Sequence, residues 1–542
     1  MLCSERRRMW CAFVLAAGTL LWAGRTFAAV RVAKIFGDDM VLQRDMAVPI
    51  WGWANSGEKI TVRFADQEKT ATADASGKWI VRLDAMPASK TPRDMTISGE
   101  NILTLKDVLV GEVWLCSGQS NMEFPVQGWS GGPCLSFDTT KSTATNSAIR
   151  QIEVDRIIAP LPVDDLQLNI KWTPCSPETV GQFSAVAYFF GREIAKQLDV
   201  PVGLINDSWG GTRIEPWTPP QGFQLEATEP EIKDIARKIE SWNPMTEIGR
   251  DAYKTCIAQL KAWIPSAEAA LDAQKMPPPA PPMLPAPKTG DNTEPTVIFN
   301  AMIAPIIPVA LRGAIWYQGE SNGGEGVTYL HKTRALVGGW RQLWGEGDFP
   351  FFYVQLAGYQ RSDANKPAGG DGWARLREAQ LQALSIPNTG MAVIIDIGNA
   401  DDVHPRDKED VGHRLAVWAL AKTYGKDVIY SGPLYKSFAV EGNKIRVSFD
   451  SVGSGLIVGE KKGLEPVSEV PGGKLKWFAV AGADQVWHWA DAVIDGATVL
   501  VSSPEVSAPV AVRYAFAMNP DGADLYNREG LPASPFRTDD WK

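Results

Sequence analysis

Between about residues 109 and 425, short apolar runs alternate with longer segments of helical periodicity, and nothing else in the chain restricts its fold as much. Val113-Trp114-Leu115-Cys116, Val202-Gly203-Leu204-Ile205, Gly313-Ala314-Ile315-Trp316-Tyr317, Phe351-Phe352-Tyr353-Val354 and Ala392-Val393-Ile394-Ile395 have the length and residue types of buried strands. Between them, residues 184–198 set Val186, Phe189, Phe190, Ile194 and Leu198 on one helical face. Further helices are expected over about 373–384 and 408–424. Continuous apolar strands are buried on both faces, and strands linked through helices run parallel. This segment is therefore expected to be an α/β domain with a mainly parallel sheet.

The flanks read differently. Residues 29 to about 108 carry short alternating runs such as Lys78-Trp79-Ile80-Val81-Arg82-Leu83, separated by turns at Ser56-Gly57 and Ser76-Gly77, the pattern of a small β-sandwich. Residues 426–542 are again β-rich, through Lys444-Ile445-Arg446-Val447-Ser448-Phe449 and Thr498-Val499-Leu500-Val501, with a loop-like ending from Asn527. Residues about 220–298 interrupt the α/β pattern with a charged helical stretch, then Pro277-Pro278-Pro279-Ala280-Pro281-Pro282, which cannot continue a helix. They are expected to form an insertion.

Residues 1–28 have the form of a signal peptide, with Arg6-Arg7-Arg8, an apolar run from Met9 to Ala23, and small residues up to Ala28. A periplasmic or secreted protein without a membrane span follows as the expectation. That segment holds four arginines and one glutamate, so the remainder carries −12 against −9 for the whole chain. Such a charge disfavours nucleic acid and anionic surfaces and suits a neutral ligand. Cys116, Cys134, Cys175 and Cys256 remain, compatible with one Cys134–Cys175 bridge or with four free thiols. The 21 tryptophans exceed what a core needs and suit flat sugar platforms. No feature bears on oligomeric state.

Only His331, His404, His413 and His488 are present, with no H-E-x-x-H and no His/Cys cluster, so neither a metal nor an organic cofactor is implied. His331 and His413 fall inside amphipathic helices, and His488 lies between two tryptophans. His404, in Asp401-Asp402-Val403-His404-Pro405, follows a strand at the edge where open α/β sheets place their sites. Three serines compete as nucleophile. Ser130 and Ser321 lie in G-x-S-x-G patterns, the first without a preceding strand, while Ser120 directly follows strand 113–116. Local sequence leaves Ser120 and Ser321 open.

Ser117-Gly118-Gln119-Ser120-Asn121-Met122-Glu123 resembles the first block of SGNH hydrolases, in the version found in sialate O-acetylesterases and related carbohydrate acetylesterases. Ser208-Trp209-Gly210-Gly211-Thr212 with Trp217, Trp316-Tyr317-Gln318-Gly319-Glu320-Ser321-Asn322, and Asp402-Val403-His404-Pro405 are similar to the later blocks, in the family's order. The resemblance implies a three-layer α/β/α SGNH domain flanked by β-sandwich regions. It implies Ser120 as nucleophile, His404 as base, and an oxyanion hole of the Ser120 N–H, Gly210 or Gly211, and Asn322. Asp401, three before the histidine, is the expected acid, with Asp402 and Glu320 as alternatives. Gln119, Trp209, Arg213, Trp217, Gln318 and Glu320 are expected around the substrate, although Trp209, Trp217, Trp316 and Tyr317 would serve equally as core. The expected reaction is removal of acetyl groups from hemicellulose such as xylan or xyloglucan, or from sialic acid, for which Arg213 would meet the carboxylate. The rival readings are a carbohydrate-binding protein with an inactive core, and an esterase of lipid or aryl substrates.

Overall fold

The computed structural model describes residues 29–541 apart from 130, 169 and 280–282. The expected signal peptide, Ser130 and part of the proline run lie outside the described residues.

A central sheet organises the chain. Its strands are β1 (Ile102–Gly118), β2 (Ile149–Glu153), β3 (Trp172–Pro174), β4 (Val202–Ser208), β5 (Gly313–Tyr317), β6 (Phe351–Val354) and β7 (Thr389–Ala392). Their order is β3-β2-β4-β1-β5-β6-β7, all parallel except β3 against β2. The chain builds outward on one side of β1 and then returns to the other. That reversal creates a switch point at the carboxyl end of β1, where ligands reach open α/β sheets. β7 pairs only over 389–392, because β6 offers no longer ladder; the apolar run to Ile395 stays buried beyond it.

Helices cover both faces, giving three layers. On one face α2 (Ala185–Leu198) packs on α5 (Lys408–Lys422), and Phe189, Phe190, Val411, Leu415 and Trp418 share one apolar cluster. α2 starts where the Ser184 hydroxyl accepts from Ala187 N–H and ends at Asp199 in the left-handed region. On the other face α3 (Thr328–Trp344) and α4 (Gly372–Gln382) bury Leu336, Trp340 and Leu376. Helices Pro220–Leu225, Pro230–Ser241 and Glu247–Asp272 lie in the insertion.

The amino-terminal β region is not a separate bead. Position 108, the expected boundary, lies inside β1, whose first half pairs with Ser89–Ser98 and Val41–Gln43 before it enters the central sheet. One apolar cluster runs from Ile50, Trp79 and Val81 through to Trp316 and Trp340. The carboxyl-terminal β region has its own core around Val447, Phe478, Val512 and Phe536. It docks on the α/β domain through Arg377, which donates to the carbonyls of Ala517 and Met518, and through Arg537 paired with Glu378. The ending is thus more than loop: Phe536–Arg537 pairs with Ala511–Tyr514. Cys116, Cys134 and Cys175 are buried thiols outside any disulfide, so Cys134 and Cys175 form no bridge. Among the described residues no helix is long and apolar enough to cross a membrane.

Candidate active site

β1 ends in Gly118 at φ +139°, where a Cβ would stand 2.2 Å from the Tyr317 carbonyl oxygen. Only glycine permits that approach, and the chain turns there into the short helix α1 (Ser120–Glu123). Ser120 thus opens a helix at the switch point, with an N–H that lacks an intrahelical acceptor. Its Oγ lies 2.9 Å from His404 Nε2. His404 Nδ1 lies 2.9 Å from Asp402 Oδ1, which also accepts the His404 backbone N–H at 2.9 Å. One carboxylate oxygen therefore fixes both ring and backbone, and it leaves Nε2 free to accept from the serine.

That contact corrects the expected acid. Asp401 is exposed, and the structure places Asp402 on the imidazole. The reason is local: a side chain two residues before the histidine closes a turn onto its backbone N–H, which brings the carboxylate to the ring. Glu320 is half-buried with its Oε2 enclosed; its Oε1 accepts from Asn121 Nδ2 at 2.5 Å, and desolvation pushes its carboxyl up. Neither Asp401 nor Glu320 reaches His404. Burial also lowers the His404 imidazole below its ordinary value, against the raising effect of Asp402, so the neutral base prevails near pH 7.

Asn121 joins three of the sequence blocks. Its Nδ2 also donates to the Val403 carbonyl at 3.1 Å, and its Oδ1 accepts from Lys408. Lys408 is fully buried between the rings of Phe124 and Tyr317, 5.1 and 5.3 Å from their centroids, and burial pushes its ammonium down to about 8. α5 begins at this lysine, capped by the Asp407 carboxylate, and Lys461 from the carboxyl-terminal region pairs with Asp410 at 2.7 Å. The loop bearing His404 is therefore tied at both ends.

The expected oxyanion donors are not all vacant. Gly210 stands close to Ser120, since a Cβ there would lie 3.2 Å from the serine Cβ. Its N–H, however, donates to Glu123 Oε2 at 2.5 Å. Asn322 is buried; its Oδ1 accepts from Ile214 N–H at 3.1 Å and Gln318 Nε2 at 2.8 Å, and its Nδ2 donates to Glu215 at 3.1 Å. Gly211 takes a left-handed φ of +75° with open space where a Cβ would go.

Several residues expected at the substrate are instead scaffold. Gln119 is buried and accepts from the N–H groups of Gly319 and Ser321, both at 3.3 Å. Gln318 and Trp217 are buried, and both bond Thr212. Trp316 and Tyr317 belong to the core, and only Trp209 remains half-buried. Arg213 is partly exposed, but its guanidinium is held by Glu215 and Glu325, which also share the buried Lys332. His331 pairs with Glu226 and His488 with Glu505, away from the serine.

Other residues at the site escape a reading of the sequence. Trp129 packs edge-on against His404 with ring centroids 5.5 Å apart and lies 5.0 Å from Phe124, yet it remains 39% exposed. Glycines around it disguise it as a plain loop. Lys408 stands four residues after His404 and opens the helix that follows, and the sequence marks it by nothing else. A cavity of about 690 Å³ lies elsewhere, between residues 160–162 and the helices of the insertion.

A hydroxyl, an imidazole and a carboxylate in one hydrogen-bonded line, at the carboxyl edge of a parallel sheet, suit attack on a carbonyl carbon. Fold and site define the class: the chain is a carboxylic ester hydrolase. Residues 295–421 match the family described as carbohydrate esterase, sialic acid-specific acetylesterase. The human sialate O-acetylesterase is 30% identical over 465 residues, 78% of this chain and 77% of that protein. The mouse sialate O-acetylesterase is likewise 30% identical, over 75% of this chain and 76% of its own length. The crystal structure of a carbohydrate acetylesterase from Xanthomonas citri superposes with a TM-score of 0.76 at 35% identity, covering 94% of this chain and 100% of that one. The chain belongs to the sialate O-acetylesterase family, and its reaction is hydrolysis of O-acetyl esters.

Proposed function

We propose that this protein removes acetyl groups from a neutral glycan, such as an acetylated xylan or xyloglucan, through an acyl-enzyme on Ser120. The carrying observation is the continuous line from Ser120 Oγ through His404 to Asp402. His404 Nε2 takes the hydroxyl proton as Oγ attacks the acetyl carbonyl, and Asp402 stabilises the imidazolium that forms. The developing oxyanion meets the Ser120 N–H, with the Gly211 N–H and the second proton of Asn322 Nδ2 as partners. Gly210 joins them only when Glu123 gives way. Each such donor is worth about 10²–10³ in rate. His404 then returns the proton to the leaving sugar oxygen, and water repeats the sequence to release acetate.

The neutral glycan is favoured over O-acetyl sialic acid by the state of Arg213, which two carboxylates already hold. A substrate carboxylate approaching it would meet Glu215 and Glu325 as well. The −12 charge of residues 29–542 acts in the same direction. The basic and apolar pattern of residues 1–28 supports export to the periplasm or medium, which the amino-terminal mass of the mature protein would test.

Acetate release from acetylated xylan, xyloglucan and sialic acid, by wild type, Ser120→Ala and Ser321→Ala, tests the reading. Loss in Ser120→Ala alone with preference for a neutral glycan supports it. Loss in Ser321→Ala alone moves the nucleophile, preference for sialic acid overturns the substrate, and a wild type that is folded but inert toward all three turns the chain into a binding protein.

A further inference from the structure

We infer that Trp129 is the platform on which the acetylated sugar residue stacks while its ester faces Ser120. The inference rests on the glycan reading above and assigns it a specific surface.

Of the aromatic residues near the catalytic blocks, Trp217, Trp316 and Tyr317 are enclosed in the core and cannot touch a ligand. Trp129 combines exposure, at 39%, with direct contact to the catalytic imidazole. The geometry of the reaction then limits where the sugar can lie. The leaving sugar oxygen must come within about 3 Å of His404 Nε2 to receive its proton. The ring attached to that oxygen consequently lies within reach of an indole whose centroid is 5.5 Å from the imidazole. An indole presents a broad apolar face with few rotatable bonds, matched to the C–H face of a pyranose.

The loop carrying Trp129 is held in place. Gly128 has φ +68°, and a Cβ there would meet the Gly132 carbonyl oxygen at 2.0 Å, so Gly128 and Gly132, which flank the indole in sequence, stand in close contact. Trp129 and Gly132 form an isolated bridge. Arg406, two residues after His404, donates from Nε to the Pro133 carbonyl at 2.6 Å, and the Leu135 N–H returns a bond to the Arg406 carbonyl at 3.1 Å. The platform and the catalytic histidine are thereby parts of one hydrogen-bonded unit, and a sugar on the indole is registered against Nε2.

Binding of this kind serves ground state and transition state alike, so its loss raises KM and spares kcat. The test compares wild type, Trp129→Ala and Trp129→Phe on acetylated xylo-oligosaccharides and on ethyl acetate, which has no ring to stack. For Trp129→Ala we expect a KM for the oligosaccharide raised about tenfold, with kcat within about twofold, and substantial recovery in Trp129→Phe. A parallel fall of kcat on both substrates would make Trp129 a buttress of His404 and overturn the inference; unchanged KM would overturn it too. A wild type that turns over ethyl acetate but no acetylated glycan defeats the glycan reading itself, before any variant is compared.

Discussion

Replacing Asp402 by asparagine removes one negative charge and keeps the Oδ1 that accepts from both the ring and the backbone of His404. The size of the effect follows from the 2.9 Å contact. Coulomb attraction between the carboxylate and the imidazolium formed in the transition state is about 6 kcal/mol at an effective dielectric of ~20, and about 1.4 kcal/mol at ~80. Asp402 is 36% exposed and His404 23%, so solvent screens the pair and the value lies between those limits. At about 1.4 kcal/mol per tenfold, Asp402→Asn should lower kcat for acetate release by roughly 10²–10³. Asp401→Asn, whose carboxylate points to solvent, should stay within about twofold. The pH profile supplies a second signature. Asp402 raises the His404 imidazole, so Asp402→Asn should shift the acid limb of kcat/KM to lower pH while lowering the plateau. A continuous acetate assay from pH 4 to 8 reads both. Equal losses in the two variants, or an acid limb that moves upward in Asp402→Asn, would refute the reasoning.

Three further outcomes follow from the same geometry. In the wild type the acid limb should have its midpoint below the ordinary histidine value of 6.5, because burial disfavours the imidazolium and only the neutral ring accepts the serine proton; the same titration measures it. Lys408→Met should lower kcat by more than about tenfold, since Asn121 Oδ1 loses its donor and a buried unpaired acceptor costs about 1–3 kcal/mol. Lys408 also holds the His404 value down, so the acid limb of this variant should move to higher pH. Asp207, wholly buried in β4 with neither carboxylate oxygen bonded among the described residues, is pushed up to about 8 by desolvation. The folded state then keeps a proton that the unfolded chain releases, and stability falls as pH rises from about 4 to about 8. Asp207→Asn should lose that slope, so its Tm advantage over wild type should grow between pH 5 and 8; parallel Tm curves would refute the assignment.

Much of the fold was legible in short stretches of sequence because strand and helix periods are local. The runs at 113–116, 202–205, 313–317 and 351–354 all lie in strands of the sheet, and helix 184–198 begins and ends where its caps stand. Ser120 and His404 stand out as candidates because each follows a strand at the sheet's carboxyl edge, but Ser321 follows one too, and only the resemblance to a known family separates the two serines. What the sequence could not reveal depends on how distant segments meet. Asp401 and Asp402 are chemically equal in the sequence, and only the turn folded back onto His404 N–H chose between them. Trp217, Gln119 and Gln318 look like ligand-facing residues until the layers close over them, whereas Trp129 sits among glycines and becomes significant only through the ring it touches 275 positions away. The continuity of β1 through the expected boundary is likewise a matter of pairing, because a strand extends as far as its neighbours offer hydrogen bonds. Periodicity is a property of a few adjacent residues and survives in the sequence. Burial and contact across hundreds of residues arise only when the whole chain packs, and there tertiary structure alone decides.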